Sequence, residues 1–380
     1  MDKNTTKTSF GKWIEPICNK QFYELVSSLS LDRYIKKFTS FDYIKLMLHA
    51  QLQKRNCLRE IVADLLLPEF QNELNMDSIS ASQLCRRHNQ FDSVLLESMF
   101  QYLVGLIQTK QVKNPSFLQK DLRIIDSTTI SMCLNQFRWA SFRETKAGIK
   151  VHTRVRFLDD SETVYPDRIR ITNADQHDRS QLEHFVAHDY NDTTYVFDRG
   201  YIDFAVFDQY SELGTFFVSR IKSNTIIETE MTFDVVHPSI QSDAMVYLGK
   251  GLKRTANAFR LIKTTDSNGN PIEIISNHYA KDAEEIAEMY RSRWAIETFF
   301  KWLKQHVEIK SLYGTSQTAV FNQIWIALIA FCLTLLMKLD EFREENISLL
   351  DLIRKLKVIV WKSFNDLTES IQRKSTRRRS

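Results

Sequence analysis

The sequence predicts an α/β protein in which a helical N-terminal region precedes a mixed sheet flanked by helices. Two observations carry this prediction. From about Phe10 to Gln111, apolar residues recur at helical spacing, and Gly and Pro are rare. After Asn114-Pro115 the pattern changes to three strands, a helix, a strand, a helix and a strand. Such an alternation builds a mixed sheet with helices on its faces.

The strands after residue 118 are predicted from runs of β-branched residues, LRIIDSTTI, IKVHTRVRFL and TVYPDRIRITNA. A helix is expected from about Arg179 to His188. It is followed by the strand TTYVFD, a short helix after Gly200, and the strand GTFFVSR. A parallel pair needs a crossover connection, and the short helix between these last two strands would supply one.

The next residues, 221–277, are predicted to form a β-rich insert. Within it, FRLIKTTDSNGNPIEIIS has the pattern of a hairpin with Asn268-Gly269 in its turn. The apolar stretch Ile324 to Met337 has 14 residues, which is too short for a bilayer span and favours a buried core helix. The predicted parts are a helical N-terminal domain (1–118), a core (119–220 and 278–337), the insert (221–277), and a C-terminal helical segment with a basic tail (338–380).

Composition narrows the class of protein. The chain has 380 residues, with 51 Lys and Arg against 47 Asp and Glu, so its net charge of +4 excludes a histone-like protein. The five cysteines are scattered and never spaced as CxxC, so neither a disulfide framework nor a zinc site is indicated. The N-terminus MDKNTTKTSF lacks the apolar core of a signal peptide. These features lead us to expect a soluble, cytoplasmic protein with no membrane association.

The segment YRSRWAIETFFKWLK is predicted to be a two-sided helix. At about 100° per residue, its four polar side chains share an arc of about 60°, and its apolar side chains form a separate face. A structural alternative is a surface helix with an ion pair between Arg293 and Glu297, which are i,i+4 neighbours. The polar stripe consists of Tyr290, Arg293, Glu297 and Lys304.

Two aspartates each follow an apolar strand. Asp126 comes after LRII, and Asp198 comes after TTYVF. Both are predicted to lie where the chain leaves the sheet, which is where ligands collect in open α/β sheets. The alternative is that each aspartate caps the element that follows.

Together with Glu297, the two aspartates form a set of three carboxylates. Grouped carboxylates repel one another unless cations are present, and their oxygen donors suit Mg²⁺ or Mn²⁺. A pair of such ions about 3.5–4 Å apart stabilises the attacking and leaving oxygens of an in-line phosphoryl transfer. The neighbouring Arg293, Lys304 and Tyr290 would then bind phosphates.

Three motifs, IIDSTTI, VFDRGY and YRSRWAIETFFKWLK, give the chain a family resemblance. They resemble the DDE transposases of bacterial insertion sequences, specifically the family founded on insertion sequence four. Its signature is Tyr, two residues, Arg, three residues, Glu, six residues and Lys, and this chain matches it at every spacing. The motif-bearing region runs from about residue 120 to 335.

The resemblance implies a ribonuclease-H-like core that is interrupted by the β-rich insert. It also implies two catalytic Mg²⁺ ions, for which Mn²⁺ can substitute, held by Asp126, Asp198 and Glu297. The phosphates of the transposon end would be bound by Tyr290, Arg293 and Lys304.

The implied function is that of a DNA transposase. It would bind the terminal inverted repeats of its element, cleave a strand and transfer it to target DNA, and it would work as a homodimer in a synaptic complex. The alternatives are a ribonuclease-H-like nuclease without strand transfer and a DNA-binding protein that has lost catalysis. The three intact acids argue against the second alternative.

Basic segments supply further candidates for contact with DNA. Between Arg138 and Arg156, six Lys and Arg residues, including Lys150 and Arg154, are interleaved with aromatics, as in a nucleic-acid track. The alternative is the protection of a strand edge by charged residues. The N-terminal domain (1–118) is expected to bind the transposon end, and its helical segment ISASQLCRRHNQF is a weaker candidate for DNA contact. The insert offers Lys250, Lys253 and Arg254.

In some members of the family an insert tryptophan stabilises a flipped base during hairpin formation. This insert contains no tryptophan, so Tyr247 or Phe259 would have to stack in its place.

Overall fold

The structure is a computed structural model that describes residues 7–110, 122–158, 163–187, 193–266, 269–306 and 311–377. The chain forms two compact units. A helical unit comprises Met1–Gln111, Asn135–Trp139 and Trp302–Ser380, and a sheet unit comprises Val112–Leu134 and Ala140–Lys301. The helix Gln317–Glu341, which the sequence-based division placed with the core, therefore belongs to the helical unit. Binding of the transposon end by the N-terminal domain stays a prediction.

The N-terminal part of the helical unit is built from helices, as predicted. Polar residues start several of them. Thr39 and Asp42 form a capping box at α3, and Ser80 and Gln83 form another at α6. The helices are α1 (Ser9–Ile14), α2 (Lys20–Ser28), α3 (Ser40–Gln53), α4 (Leu58–Ala63), α5 (Pro68–Leu74), α6 (Ala81–Gln90) and α7 (Ser93–Thr109).

The sheet unit contains strands that pair into one sheet across its described residues. The first five are β1 (Leu122–Met132), β2 (Ser141–Arg143), β3 (Lys146–Phe157), β4 (Val164–Asn173) and β5 (Thr194–Phe197). After α8 (Phe204–Glu212) come β6 (Phe216–Arg220), β7 (Ile227–Phe233), β8 (Ile240–Leu248), β9 (Phe259–Thr265) and β10 (Pro271–Ser276). The order across the sheet is β4-β3-β1-β5-β6-β10-β9-β8-β7, and β2 pairs with the start of β3.

The first half of this sheet has the ribonuclease-H-like arrangement. Strands β4, β3 and β1 are antiparallel neighbours, whereas β5 and β6 run parallel to β1 and to each other. The predicted parallel pair is thus confirmed, with α8 as its crossover. The mixed sheet predicted from the sequence is confirmed as well.

The insert continues the same sheet. Strand β10 pairs antiparallel with β6, and β9, β8 and β7 follow it outward. The predicted hairpin is confirmed by the pairing of Pro271 with Thr265, and Gly269 takes the positive φ of +82° that its turn requires. Asn268 lies outside the described residues.

A cluster of aromatic side chains packs on one face of β5 and β6. The rings of Phe207 and Phe217 stack with their centroids 4.3 Å apart, and Phe197 lies 6.0 Å from Phe217. Phe259 belongs to the same cluster and is fully buried. The idea that Phe259 stacks on a flipped base is therefore wrong for this conformation, because its ring is part of the core.

Two predicted helices differ from the observed ones. The segment predicted as a helix from Arg179 is a 3₁₀ helix, Asp178–His184, and His188 lies outside the described residues. The predicted helix at 290–304 is divided into α9 (Ala283–Arg291) and α10 (Trp294–His306). At the junction the amide of Arg293 donates to the Tyr290 carbonyl, three residues back. Such i→i+3 bonds tighten the turn and interrupt the regular α-helical repeat. The prediction that the polar stripe occupies a single arc of one continuous helix was therefore wrong.

The C-terminal part contains α11 (Gln317–Glu341), α12 (Leu349–Val358) and α13 (Phe364–Arg377). Helix α11 has 25 residues, more than the 14 of the apolar stretch, and its length and composition would suffice to cross a membrane. However, 94% of its most apolar window is buried inside the protein. This confirms the predicted core helix. The end of the basic tail, Arg378 and Arg379, lies outside the described residues.

Candidate active site

Asp126 and Asp198 lie at the same level on adjacent parallel strands. Strands β1 and β5 pair up to Ile125 and Phe197, and the next residue of each strand is the aspartate. Asp198 directly follows β5, as predicted, and it also caps the 3₁₀ helix Arg199–Tyr201, because its Oδ1 accepts from the Arg199 amide at 2.7 Å. Asp126 does not end its strand, because pairing with β3 carries β1 on to Met132. Only the parallel pairing of β1 with β5 ends near Asp126.

Arg293 joins Asp126 to Glu297. Its Nη1 donates to Asp126 Oδ2 at 3.0 Å, and its Nη2 donates to Glu297 Oε1 at 3.1 Å. Because the guanidinium is a rigid planar fork, these two carboxylate oxygens lie within roughly 9 Å of each other. Burial alone would lower the pKa of Arg293, but the charges of Tyr290 and of all three acids raise it. The predicted set of three acids therefore surrounds one arginine.

Asp126 is the acid whose surroundings most disfavour its charge. Burial raises the pKa of its carboxyl to about 6. The negative charges of Asp198 and Asp178 act in the same direction, whereas the Ser127 amide and Arg293 act against it. A nearby cation would stabilise the charged form of such a carboxyl group.

The donor set consists of carboxylate oxygens, which suits a hard divalent cation such as Mg²⁺ or Mn²⁺. Across the ranges that the structure describes, no three His, Cys, Asp or Glu side chains are already grouped as a metal site. Arg293 occupies the space between Asp126 and Glu297. The residues present fit a metal pair chemically, and binding one requires these side chains to rearrange around the guanidinium.

The predicted phosphate ligands lie in different settings. Tyr290 is buried at the end of α9, with the Arg293 guanidinium carbon 5.9 Å from its ring centroid, and burial raises its pKa. Lys304 is exposed on α10 and belongs to the helical unit. Lys150 on β3 donates to the Gln176 carbonyl at 3.0 Å and to Asp178 Oδ1 at 3.2 Å. Contact of these residues with DNA stays a prediction.

The structure adds Asp178, an acid that the sequence analysis missed. Asp178 begins the 3₁₀ helix after β4, and its Oδ1 accepts from the Ser127 hydroxyl at 2.6 Å. Ser127 is the residue after Asp126. The sequence signal was weak, because HDRSQLEH has the pattern of an ordinary charged helix start.

Two of the basic candidates already form ion pairs, one buried and one at the surface. Arg154 makes a bidentate contact with the buried Asp167, with both N···O distances at 2.9 Å, so its place in a DNA track was wrong. Arg254 pairs with Glu228. Its guanidinium lies over the Tyr247 ring, 3.6 Å from the ring centroid, and so covers one face of that ring. Lys250 and Lys253 are exposed.

Comparison with known proteins gives matches over most of the chain. The family described as Transposase DDE domain matches residues 118–333, and a domain of unknown function, DUF4372, matches residues 5–70. A probable transposase for insertion sequence element IS5377 from Geobacillus stearothermophilus is 30% identical over 65% of this chain and 65% of its own length. The putative transposase y4zB of Sinorhizobium fredii is 31% identical over 56% of this chain and 59% of its own length.

A solved piggyBac transposase synaptic complex with hairpin DNA overlaps 98% of this chain and 82% of that chain, with a TM-score of 0.46 and 12% identity. The matches to the two bacterial relatives span less than two thirds of those proteins' own length. The DDE-domain match covers more than half of the chain and includes Asp126, Asp198 and Glu297. The chain therefore belongs to the DDE transposases of bacterial insertion sequences.

Proposed function

We propose that this protein is a DNA transposase. It binds the terminal inverted repeats of an insertion sequence, cleaves a DNA strand in a metal-dependent reaction, and transfers the freed end to target DNA. The observation that carries the proposal is the convergence of Asp126, Asp198 and Glu297 around Arg293 in a ribonuclease-H-like sheet. Acting on DNA, the protein would be cytoplasmic.

Two Mg²⁺ ions, or Mn²⁺ in their place, would be held by Asp126, Asp198 and Glu297. When bound, such ions stabilise the attacking and leaving oxygens of an in-line displacement at phosphorus. The protein's own contribution is position. Adjacent parallel strands set the spacing of the two aspartates, and Arg293 holds Asp126 and Glu297 toward each other.

Arg293 is also suited to a phosphate of the transposon end. Its Nε–H is buried and has no hydrogen-bond partner among the described residues. A buried N–H without a partner is costly, and a phosphate oxygen would satisfy it. Tyr290 beside it, Lys150 and the exposed Lys304 would add further phosphate contacts. Two copies of the chain would hold two ends in a synaptic complex.

The helical unit offers a surface for the transposon end. A cleft beside α4 and α6 is lined by two arginines, Arg59 and Arg86, together with amide side chains, and none of its lining residues is acidic. Both arginines lack ion-pair partners in the described part of the chain. Arg87 and His88 are not available, since Arg87 pairs with Asp32 and His88 bonds to Tyr43. Arginine and amide groups are those that read base edges and phosphates.

Incubation with a labelled inverted-repeat end, Mg²⁺ and a target plasmid tests the function. A transposase gives a cleaved end and a product joined to the plasmid. Cleavage without a joined product would favour the nuclease, and binding without cleavage would favour an inactive DNA-binding protein.

Asp126→Asn tests the site directly. The substitution removes the charge that a metal requires and leaves the phosphate contacts in place, so strand nicking should fall below detection while end binding is retained. Asp175→Asn, at an exposed position outside the site, is the matched control and should nick normally. Nicking by Asp126→Asn at the wild-type rate would remove Asp126 from the catalytic set.

A further inference from the structure

We infer that Asp178 is a positioning residue for strand cleavage, because it holds Ser127 and Lys150 against the strand that carries Asp126. The inference rests on the proposed function. It adds a residue that acts through its neighbours and does not require contact between Asp178 and the reacting atoms.

One oxygen of Asp178 ties two adjacent strands together. Its Oδ1 accepts from the Ser127 hydroxyl of β1 at 2.6 Å and from the Lys150 ammonium of β3 at 3.2 Å. Strands β1 and β3 pair along this stretch, with Thr129 opposite Lys150. The carboxylate therefore fixes two side chains that project from neighbouring strands beside the site.

The link from Ser127 to Asp126 is direct. The Ser127 amide donates to Asp126 Oδ1 at 2.8 Å, so Ser127 contacts one aspartate through its amide and the other through its hydroxyl. On the other side, a Cβ atom placed on Gly200 would stand 3.7 Å from Asp178 Oδ2. Gly200 follows Asp198 by two residues. Asp178 thus lies against the segments that follow both strand aspartates.

Asp178 and the side chains that it binds, Ser127 and Lys150, are more enclosed than an ordinary surface ion pair. The side chains of Asp178 and Lys150 are 26% and 16% exposed. Tyr201 nearby is fully buried, and burial together with the charges of Asp178, Asp126 and Asp198 raises the pKa of its hydroxyl. In such surroundings an acceptor shared by a hydroxyl and an ammonium restricts the motion of both donors.

The first experiment compares Asp178→Ala with Asp178→Asn in single-turnover cleavage of a labelled end and in end binding. Loss of a supporting contact outside the metal ligands typically costs about 10–100-fold in activity. We expect a loss of that size for Asp178→Ala, with end binding within about twofold of wild type. Asp178→Asn should recover most of the activity, because its amide oxygen can accept the same two bonds.

A second arm uses the protein without DNA. Lys150 acylation, followed by mass spectrometry, should be several-fold faster in Asp178→Ala than in the wild type and close to the wild-type rate in Asp178→Asn. The exposed Lys250, on the insert, serves as an internal control whose reactivity should not change.

The outcomes separate the two proposals. Wild-type cleavage and unchanged Lys150 reactivity in Asp178→Ala would overturn the inference and leave the transposase assignment intact. Joint loss of thermal stability and end binding in Asp178→Ala, without rescue by asparagine, would show a structural role and overturn it as well. If the wild type cleaves no inverted-repeat DNA, the proposed function fails, and so does a role for Asp178 in cleavage. In that case the reactivity of Lys150 tests only the contact between Asp178 and Lys150.

Discussion

Arg293 serves two acids with one guanidinium group. A bidentate fork suits this task, since each terminal nitrogen contacts a different carboxylate and the plane fixes their separation. Lysine could neutralise one carboxylate but could not orient both. The requirement for an arginine three residues after Tyr290 follows from this geometry.

Replacement of this arginine should change the ionisation of Asp126. Because Arg293 lowers the pKa of Asp126 against the effect of burial, Arg293→Gln should raise that pKa above its present value of about 6. Carboxyl-carbon NMR titration of the metal-free protein would measure it. Arg291→Gln removes a neighbouring arginine that pairs with Glu284 and Glu288, and should leave Asp126 unchanged. An unshifted Asp126 in Arg293→Gln would contradict the contact.

Lys304 is a separate test at the residue scale. If it binds a phosphate of the transposon end, Lys304→Ala should weaken end binding and make the slope of log K against log salt shallower by about one counterion. Binding isotherms at several salt concentrations would show this. Lys20→Ala removes another exposed positive charge, far from Lys304 along the chain, and should keep the slope. An unchanged slope for Lys304→Ala would remove it from the phosphate contacts.

At this scale the sequence could identify residue types at motif spacings, and therefore Asp126, Asp198, Glu297 and Arg293. It could not identify Asp178, because its importance comes from a hydroxyl and an ammonium on two other strands. These contacts join residues far apart in the sequence, so no motif spacing predicts them.

At the scale of the element, the insert is held by a buried ion pair between neighbouring strands. Arg260 of β9 donates to Asp243 of β8 through Nε at 2.9 Å, and the two side chains are 11% and 3% exposed. A buried arginine that loses its carboxylate keeps its desolvation cost without compensation. The pair therefore links β8 to β9 within the insert.

Asp243→Asn should lower the free energy of unfolding by about 3 kcal/mol, the size typical of a buried pair that loses one charge. Urea unfolding would measure it. On the next pair of strands, β9 and β10, Glu273→Gln breaks the partly exposed ion pair with Lys263 and should cost less than about 1 kcal/mol. Equal costs for the two substitutions would contradict the assignment of Asp243 and Arg260 as a buried structural pair.

Strand prediction succeeded where alternation and turn residues were clear, as in the hairpin of β9 and β10. Helix prediction failed at the break between α9 and α10. The residues there, Ser292 and Arg293, include neither Gly nor Pro, so composition gave no sign of the tighter turn. Similarly, Asp126 was expected where the chain leaves the sheet, but β1 continues past it because β3 pairs with it up to Met132.

At the scale of the whole molecule, both units bury neutral histidines. His88 in the helical unit and His152 and His278 in the sheet unit each have a pKa lowered to about 4 by burial. Each ring accepts or donates one hydrogen bond to a hydroxyl, such as that of Thr194 to His278 at 2.7 Å. Protonation of these rings is therefore easier in the unfolded chain.

This arrangement fixes the sign of the pH dependence. Between the unfolded value of about 6.5 and the folded value of about 4, the unfolded state binds more protons, so histidine-linked stability is complete above pH 6.5 and is lost as the pH falls toward 4. Asp126 acts in the opposite direction, because its folded pKa of about 6 exceeds the ordinary 3.8. Three histidines outweigh this one carboxyl, so acidification should destabilise the protein.

We expect urea unfolding to show a lower free energy at pH 5 than at pH 7, with about 2 kcal/mol from each buried histidine by linkage. His278→Gln, which keeps a polar side chain but cannot titrate, should reduce the difference between the two pH values by about that amount. His237→Gln, at an exposed position, is the control and should leave the difference unchanged. Equal stability at both pH values would mean that these rings exchange protons in the folded state as freely as in the unfolded chain. Their burial would then not restrict their charge.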